Sequence, residues 1–471
     1  MTYAEAIQFL YGLQMFGARP GLETTRKLAA LAGNPQDKLR FIHVAGTNGK
    51  GSTCAMLESI YRAAGLRVGL FTSPHLVSFR ERIQVNRELI PASEVARLAT
   101  DVAAGILPAV EPGFQPGGKG LATIGRMESF DAAASLNASP GGKMPPSTSG
   151  KMPAATTLFD FITVMALRYF AEQKCDLVIW ETGLGGRLDA TNIVTPLASV
   201  ITNIALDHQA WLGDTLAKIA AEKAGIIKPG VPVVTTECRA EALSVIEKVA
   251  RENNAPLTRA DSNPSSIFHL PSSLPGAHQR TNAGLAIAAV EVLQKIFPVS
   301  NEQIVAGLAQ VKWPGRLQLI TRPNGQRVLL DGAHNIAGVE TLRSALKDGF
   351  AKLNLTLILG MLGDKDWRVM CEMLAPLANR ILLVPVDSAR TAKPEELAVV
   401  CRAANAQGEV LCMKNLSHAL DYAANDKFVV IAGSLYLIGA ALVLLDLEFA
   451  KSGDERGLNE WSGAAKTNSP H

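Results

Sequence analysis

Residues 46–52 read Gly46-Thr47-Asn48-Gly49-Lys50-Gly51-Ser52. They follow the apolar run 41–45 and precede a helical pattern that begins at Thr53. A strand, a glycine-rich loop, a lysine and a hydroxyl residue in this order form a phosphate cradle, because N–H groups of the loop and of the helix N-terminus face the anion. Lys50 adds a positive charge and Ser52 can hold Mg²⁺, although Gly51 separates them and makes the spacing differ from G-x-x-x-x-G-K-[ST]. The stretch therefore predicts nucleotide binding.

The bulk composition indicates a soluble protein with more than one domain. A chain of 471 residues exceeds the size of one ordinary hydrophobic core, so we expect two domains. The net charge of +3 gives no electrostatic reason to expect nucleic acid as a partner. The cysteines are scattered without a C-x-x-C pair, which indicates reduced thiols in the cytoplasm rather than disulfides or a zinc site. The N-terminus lacks the basic start and apolar core of a signal peptide.

One uncharged stretch, residues 428–445, reaches the lower limit of length for a membrane span. Gly433 and Ser434 divide it into a short strand and a helix that starts at Leu435. Acidic residues follow it where a basic anchor would be expected. We therefore predict a buried strand, loop and helix, and no contact with a membrane.

Short apolar runs alternate with helical patterns along most of the chain. The runs are continuous, which is typical of strands buried on both faces of a mainly parallel sheet. The sequence thus predicts the α/β class with two domains, 1–297 and 298–450, and a polar tail, 451–471. The predicted strands are 41–45, 68–71, 177–180, 199–202 and 231–235 in the first domain, and 328–330, 356–359, 380–384 and 428–432 in the second.

Residues 105–155 interrupt this alternation. They are rich in Gly, Pro, Ser and Ala, and Gly-Lys-Met-Pro occurs twice, at 142–145 and 150–153. Such a composition cannot bury enough apolar surface to order itself independently, so we predict a mobile insertion in the first domain. The polar residues 453–471 are predicted to form a loose tail.

Two further motifs lie where predicted strands end. In the first, which spans residues 180–192, Glu181 is well placed for Mg²⁺, a hard ion that prefers oxygen ligands. The alternative is a glycine-rich turn with a capping acid. The second motif spans residues 202–208 and ends at His208. Imidazole is an unusual ligand for magnesium, and a lone histidine is more often structural.

Taken together, these motifs resemble those of folylpolyglutamate synthases and of the bifunctional dihydrofolate synthase/folylpolyglutamate synthases, members of the Mur ligase superfamily. The resemblance runs from about Leu22 to Ile438, interrupted by the insertion. It implies a central domain with the phosphate loop and a mainly parallel sheet, plus a second, smaller Rossmann-like α/β domain. The matching strings are Gly46–Ser52, Thr72–Leu76, Glu181–Asn192, Asp207–Gly213, Glu222–Ile226, His278–Ala283, Pro314–Arg316, Asp331–Asn335, Gly360–Asp366 and Gly433-Ser434.

The resemblance implies a site for ATP and two Mg²⁺ ions, which would neutralise the triphosphate and a developing acyl phosphate. From the residues alone, Arg316 could equally be a surface linker arginine and Asp331 a strand-end cap. The implied ATP contacts are Gly46, Thr47, Asn48, Gly49, Lys50, Gly51, Ser52, Asn282, Arg316, Asp331 and His334, and the implied metal ligands are Ser52, Ser73, Glu181 and His208.

Lys223 has two interpretations. Followed by Ala224, Gly225 and Ile226, it would ordinarily be a helix-surface lysine near the C-terminus, where the helix dipole favours a cation. In the ligases that this chain resembles, the matching lysine is carbamylated by CO₂. That reaction turns the cation into an anion able to hold a second metal ion.

The resemblance also implies a pterin or folate pocket. An aromatic ring for stacking and a carboxylate for the amino-pyrimidine edge would suit a pterin. The alternative is that Phe159 is a core residue and Asp160 an acid of a helix N-terminus. The loop 16–22 is expected to border the pocket. The implied pocket residues are Thr157, Leu158, Phe159, Asp160, Leu188, Asp189 and Ala190.

The activity implied by the resemblance is ATP-dependent amide ligation in the cytoplasm by a monomer. L-Glutamate would be added to dihydropteroate, or to the terminal γ-carboxyl of a reduced folate, through an acyl phosphate and with release of ADP. Lys50, Lys223 and His208 would take part in catalysis.

Three other functions stay open. A Mur ligase would use the same chemistry on a UDP-linked cell-wall precursor, but strings 157–160 and 188–190 favour folate. A P-loop switch or regulatory NTPase would not need the residues of a second domain, and no Asn-Lys-x-Asp string for guanine occurs. Intact phosphate and magnesium motifs argue against a relative that only binds folate.

Overall fold

The computed structural model describes residues 1–14, 21–106, 156–260, 273–351, 353–445 and 455–460. Almost all of the predicted insertion, most of the 16–22 loop and the last part of the tail lie outside the described residues. The described chain forms two β-sheets with helices packed on them.

The first sheet has eight strands in the order β4-β3-β2-β5-β1-β6-β7-β8. Six are parallel, whereas β3 and β4 join one edge antiparallel. The strands are β1 (Phe41–Ala45), β2 (Val68–Phe71), β3 (Ile83–Val85), β4 (Glu88–Leu89), β5 (Leu177–Glu181), β6 (Ala198–Ile201), β7 (Val233–Thr235) and β8 (Leu257–Arg259). The α-helices of this part are α1 (Tyr3–Gln14), α2 (Glu23–Leu31), α3 (Lys50–Ala63), α4 (Ala92–Ile106), α5 (Leu158–Glu172), α6 (Gln209–Leu212), α7 (Leu216–Ala224), α8 (Ala240–Glu252), α9 (Ala277–Val292) and α10 (Asn301–Gln310).

The second sheet has six strands in the order β13-β12-β11-β14-β10-β9, and only β9 is antiparallel to its neighbour. Its strands are β9 (Gln318–Thr321), β10 (Arg327–Asp331), β11 (Leu355–Leu359), β12 (Arg380–Leu383), β13 (Glu409–Cys412) and β14 (Phe428–Ala432). Its helices are α11 (Ile336–Phe350), α12 (Trp367–Leu374), α13 (Pro394–Ala404), α14 (Leu416–Tyr422) and α15 (Leu435–Leu444). Short 3-10 helices occupy Pro35–Lys38, Phe79–Arg82, Ala190–Ile193, Ala375–Leu377 and Arg456–Asn459.

The predicted α/β class and mainly parallel sheets are confirmed. The central strands β1, β5, β11 and β14 are buried at every residue, because helices cover both faces of each sheet. The edge strands β4, β8, β9 and β13, together with β3, were not predicted. An edge strand is partly exposed and therefore lacks the continuous apolar run on which the prediction depended.

The uncharged stretch 428–445 is strand β14 followed by helix α15, as predicted. Gly433 joins them with a φ of 108°, in the left-handed region that glycine tolerates. A Cβ there would also lie 2.8 Å from the carbonyl oxygen of Gly360. Among the residues that the structure describes, no helix is long and apolar enough to cross a membrane.

The first hydrophobic core continues beyond the predicted division at residue 298. Helix α10 packs on α3, and its Ile304 and Leu308 share a cluster with Ile42 of β1. The second sheet starts only at Gln318. The structure therefore favours a division between Val311 and Gln318, since a chain boundary falls where few contacts cross.

Part of the predicted loose tail is packed against the body of the protein. Residues 455–460 contain a 3-10 helix, and Leu458 and Glu455 are buried. Their partners lie in both domains. This segment is polar in sequence, so its composition gave no indication of the buried hydrogen bonds that hold it.

Two helical glycines test the packing of α10 on α3. In α10, a Cβ at Gly307 would lie 2.5 Å from the Cα of Ile60, whereas a Cβ at Gly349 in α11 meets nothing within 4 Å. Alanine improves helix propensity at either position by up to about 1 kcal/mol. We expect Gly349→Ala to be neutral or stabilising and Gly307→Ala to lose about 1–3 kcal/mol of unfolding free energy through overpacking. Urea denaturation of both variants measures this, and equal effects would contradict the close contact.

Candidate active site

One cavity of about 1400 Å³ lies between the two sheets. Residues that follow β1, β5 and β6 form one wall, and residues around β10 form the opposite wall. A large concave site at the carboxyl ends of parallel strands is the usual position of a ligand site in such folds. Every residue that the sequence analysis assigned to a site lines this cavity: Gly46, Thr47, Asn48, Gly49, Lys50, Gly51, Ser52, Ser73, Thr157, Leu158, Phe159, Asp160, Glu181, Leu188, Asp189, Ala190, His208, Lys223, Asn282, Arg316, Asp331 and His334.

The phosphate loop, residues 46–52, is tightly enclosed. A Cβ at Gly46 would lie 1.7 Å from Oγ1 of Thr202, so the backbone approaches the end of β6 more closely than any side chain would allow. Helix α3 begins at Lys50, earlier than the predicted start. The Nζ atom of Lys50 donates to the carbonyl oxygens of Gly46 (3.1 Å) and Thr47 (3.2 Å). The lysine thus lies across its own loop, within reach of an anion bound there.

Glu181, at the end of β5, is a buried carboxylate beside this loop. The backbone N–H of Ser73 donates to its Oε2 atom at 3.0 Å. Burial raises the pKa of Glu181 to about 7, and the charge of Lys50 only partly opposes this shift. In the described part of the chain no lysine, arginine or histidine forms an ion pair with it. A cation placed here would therefore relieve a desolvated carboxylate.

The described side chains alone do not provide a complete set of ligands for a metal ion. Among the described residues no three His, Cys, Asp or Glu side chains are grouped so as to hold one. The Ser52 hydroxyl is buried and accepts a hydrogen bond from Nε2 of Gln279 at 3.3 Å. His208 has a left-handed φ of 50° and burial lowers its pKa to about 4, so its imidazole is neutral at pH 7. Carboxylate, hydroxyl and phosphate oxygens fit magnesium, which keeps several water ligands.

Lys223 is buried at the base of the loop, so the alternative of a helix-surface lysine is wrong. Only 4% of the residue is exposed, and its Nζ atom donates to the carbonyl oxygen of Gly46 at 2.8 Å. Burial, followed by the charge of Lys50, lowers the pKa of Lys223 to about 7. A large fraction of this amine is therefore uncharged, and hence nucleophilic, near neutral pH.

The two domains meet in a polar network that the sequence analysis missed. Lys365 donates to Oδ1 of Asp207 at 2.6 Å, and Asn335 donates to Oδ2 of Asp207 at 2.9 Å. Asn335 also donates to Oδ1 of Asn48 at 3.0 Å. Burial opposes ionisation of Asp207, but the positive charges of His208, when protonated at low pH, and of Lys365 outweigh it and lower the pKa of Asp207. Nothing in the spacing of Lys365 from the loop indicated this contact, because the two lie on different domains.

On the opposite wall, Asp331 caps the turn after β10. Its carboxylate accepts hydrogen bonds from the N–H groups of Leu317 (2.9 Å) and Ala333 (3.0 Å). Asp331 is therefore a strand-end cap, and it also lines the cavity. Nδ1 of His334 donates to the carbonyl oxygen of Gly332 at 2.7 Å, and burial lowers the pKa of His334 to about 4. Arg316 lines the cavity and contacts Gly315 at 3.4 Å, which places it in the site rather than on an outer linker surface.

The carboxylates of the predicted pterin pocket are already engaged. Asp160 accepts hydrogen bonds from Thr25 and from Thr157, the N-cap of α5, so it is the helix N-terminal acid of the alternative interpretation. Asp189 accepts from the N–H groups of Leu184 (2.7 Å) and Thr191 (3.0 Å). Both residues line the cavity, and in each of them both carboxylate oxygens already accept hydrogen bonds from the protein.

Phe159 forms an apolar part of the same wall. Its ring is 6.0 Å from that of Phe71, and a Cβ at Gly183 would come within 2.4 Å of its Cζ atom. The glycine therefore leaves room for the ring.

Two arginines from different domains, Arg82 and Arg390, also line the cavity. Both are isolated in sequence from every motif described above, so no local pattern pointed to them.

The buried amine of Lys223 predicts a pH-dependent stability. Its pKa falls from an ordinary 10.5 to about 7 on folding, so between these values the unfolded chain binds more protons and stability rises with pH. We expect the wild-type protein to gain unfolding free energy relative to Lys223→Met from pH 7 to pH 9 in CO₂-free buffer. Urea denaturation at several pH values measures this. Lys218→Met, on the exposed side of α7, is the control, and a pH-independent difference for Lys223→Met would contradict the prediction.

Known proteins resemble this chain in sequence. Residues 315–435 match the family model of the Mur ligase, glutamate ligase domain. The dihydrofolate synthase/folylpolyglutamate synthase of Bacillus subtilis is 36% identical, over 93% of this chain and 97% of that protein.

Solved structures resemble this chain over most of its length. The Escherichia coli FolC in complex with DHPP and ADP superposes with a TM-score of 0.76 at 29% identity, covering 95% of this chain and 98% of that one. The folylpolyglutamate synthase of Thermotoga maritima gives 0.75 at 30% identity, covering 94% and 97%. The chain belongs to the dihydrofolate synthase/folylpolyglutamate synthase family of ATP-dependent ligases.

Proposed function

We propose that this chain joins L-glutamate to dihydropteroate, to the terminal γ-carboxyl of a reduced folate, or to both, with ATP as co-substrate. The observation that carries the proposal is the single cavity in which the phosphate loop, the buried Glu181 and the wall around β10 face one another. The E. coli relative in complex with DHPP and ADP supports the same pair of ligand classes. No observation favours a UDP-linked precursor.

The nucleotide is proposed to lie between the domains. Its phosphates would be held by the N–H groups of residues 46–52 and by Lys50, which needs only to leave its contacts with the loop carbonyls. Asn282 of α9 adjoins the loop at Gly49, whereas Arg316, Asp331 and His334 line the cavity from the second domain. Arg316 supplies a positive charge for the phosphates, whereas Asp331 is a hydrogen-bond acceptor.

Magnesium is proposed at the carboxylate beside the loop. Glu181, Ser73, Ser52 and His208 would hold it, with phosphate oxygens and water completing the coordination. The chemistry that it supplies is neutralisation of charge on the transferring phosphoryl group. The raised pKa of Glu181 supports this placement, since an adjacent cation would stabilise its ionised form.

The proposed reaction has two steps. The substrate carboxylate attacks the γ-phosphorus of ATP, the bond to the bridging oxygen breaks, and an acyl phosphate and ADP form. The free amino group of L-glutamate then attacks the acyl carbon, and the tetrahedral intermediate loses phosphate and a nitrogen-bound proton to give the amide. Lys50 stabilises the transferring phosphoryl group. Most of the remaining rate enhancement comes from positioning between the two domains.

Lys223 is proposed to be carbamylated. The reaction needs an uncharged amine, and the Lys223 amine has a pKa of about 7 at the base of the loop. Its Nζ attacks CO₂ and loses a proton, which gives a carbamate anion. That anion would supply the carboxylate oxygens that the described side chains lack for a second Mg²⁺.

We further propose that the protein acts as a monomer in the cytoplasm, consistent with its unpaired cysteines.

ADP release with ATP, Mg²⁺ and L-glutamate tests the function, with dihydropteroate or tetrahydrofolate in separate reactions and mass spectrometry of the products. We expect one added glutamyl unit on at least one acid. Lys50→Ala should lower turnover about 100-fold or more, because it removes a group that stabilises developing charge. The melting temperature of this variant should not change. Lys218→Ala is the matched control. Ligation by Lys50→Ala at the wild-type rate would refute the assigned phosphate site, and no product with either acid would refute the proposed function.

A magnesium titration tests Glu181. In Glu181→Gln the shape is kept but the charge is lost, so half-maximal activity should require at least about tenfold more Mg²⁺. Glu58→Gln is the control, because Glu58 is also a buried glutamate of the first domain but pairs with Arg62 outside the cavity. An unchanged magnesium requirement in Glu181→Gln would remove it from the ligand set.

A further inference from the structure

Residues 455–460, called the C-terminal strap below, bind helix α1 of the first domain. Tyr3 donates its hydroxyl hydrogen to Oε1 of Glu455 at 2.7 Å. Gln14 donates from Nε2 to the carbonyl oxygens of Gly457 (2.9 Å) and Glu460 (3.2 Å). Leu458 is buried in the same cluster as α1. The strap is therefore fixed along its whole described length.

The strap also holds the segment that carries Arg82. Oε2 of Glu455 accepts from the N–H of Phe79 at 2.6 Å and from the hydroxyl of Ser78 at 3.1 Å. These two residues start the 3-10 helix Phe79–Arg82. A carboxylate at the N-terminus of a helix satisfies N–H groups that have no partner within it. Glu455 thereby fixes the element at whose end Arg82 stands.

Asn459 then orients the guanidinium of Arg82 itself. Nη2 of Arg82 donates to Oδ1 of Asn459 at 2.6 Å, and Nδ2 of Asn459 donates to the carbonyl oxygen of His75 at 2.9 Å. Nε of Arg82 donates to Nδ1 of His75 at 2.8 Å. Arg82 is 5% exposed and lines the cavity. With two of its nitrogens bound to one side, the direction of the remaining N–H groups is set.

On the second domain, the strap meets Arg390. Nε of Arg390 donates to Oε2 of Glu460 at 3.2 Å, and Nη2 donates to the hydroxyl of Tyr436 at 3.3 Å. Nη1 of Arg390 donates to Oδ2 of Asp364 at 3.1 Å, so the strap shares the positioning of this guanidinium with the second domain. Arg456 donates to the carbonyl oxygen of Tyr436 at 3.0 Å. The strap thus connects one cavity arginine from each domain, and its own Leu458, Asn459 and Glu460 line the cavity between them.

We propose that the C-terminal strap is a positioning element for the acid substrates, which acts by fixing Arg82 and Arg390 toward their carboxylate groups. The proposal rests on the proposed function, because that function brings carboxylates into this cavity. A guanidinium recognises a carboxylate through directed N–H groups, so its orientation matters as much as its charge. Within the described residues, the side-chain hydrogen bonds of the phosphate loop go neither to strap residues nor to Arg82, and we expect the nucleotide at that loop to lie away from the strap. The strap therefore affects the acid substrates and not ATP.

Asn459→Ala tests the proposal against a matched asparagine. Asn405→Ala is the control. Asn405 makes three side-chain hydrogen bonds, all to backbone groups, and lies outside the cavity. We expect Asn459→Ala to raise KM for dihydropteroate or tetrahydrofolate, or for L-glutamate, about tenfold, the change that loss of one charge-assisted hydrogen bond produces. KM for ATP should stay within about twofold of wild type. Equal KM values in both variants, or a parallel rise in KM for ATP, would overturn the proposal.

A second experiment separates positioning from a purely structural role. In an Arg82→Ala background, Asn459→Ala should cause no further rise in KM, because the group that it orients is gone. Glu460→Gln should behave in the same way against Arg390→Ala. Additive effects would overturn the proposal.

If the wild-type protein adds no glutamate, the proposed function fails. The role of the strap is then tested by calorimetric measurement of dihydropteroate binding. We expect Asn459→Ala to bind dihydropteroate more weakly than Asn405→Ala does, and equal affinities would overturn the proposal.

Discussion

The pairing of three parallel strands determines this site. Strand β1 lies between β5 and β6, with Val44 opposite Glu181 and Ala45 opposite Ile201. Parallel strands end at the same edge of a sheet, so the phosphate loop after β1, the carboxylate ending β5 and the turn after β6 are brought together by backbone register alone. The hydroxyl of Thr202 then donates to the carbonyl oxygen of Asn48 at 2.7 Å and fixes the loop against β6. A slip of one residue in any of these strands would move these groups apart and turn their side chains to the opposite face.

Burial at this edge gives the site its unbalanced charges. It raises the pKa of Glu181 and lowers that of Lys223, each to about 7, because both groups lose hydration without gaining a paired countercharge. An isolated buried charge is costly, whereas a site filled by a polyanion and its cations returns the missing partners. The buried Glu181 carboxylate and Lys223 amine therefore lack the charge partners that bound ligands could supply. Buried groups with shifted pKa values of this kind are common in functional sites.

Sequence predicted the central part of this structure well, and its limits have physical causes. The loop and Glu181 belong to short motifs at the ends of buried strands, where an apolar run and a glycine-rich turn are both visible. Lys223 lies in the last turn of α7, and only the family resemblance assigned it to the site. Asp160 and Asp189 were assigned to the pterin pocket through the family resemblance. A carboxylate can cap a helix as readily as it can bind a ligand, and only the structure shows where its oxygens are used. Edge strands were missed because they are partly exposed. Contacts between distant parts of the chain, such as Lys365 with Asp207, leave no trace in local spacing.

Contacts between the domains complete the site with charges that neither domain has alone. Asp207 of the first domain is surrounded by Lys365 and Asn335 of the second, and Arg390 of the second domain meets Glu460 of the strap. These contacts are polar, and apolar packing accompanies them, since Val77 of the first domain is buried in a cluster with Val328 and Leu330 of the second. They are also directional, so they form only in one relative orientation of the domains. The polar contacts and this apolar contact together hold the two domains in one orientation around the cavity.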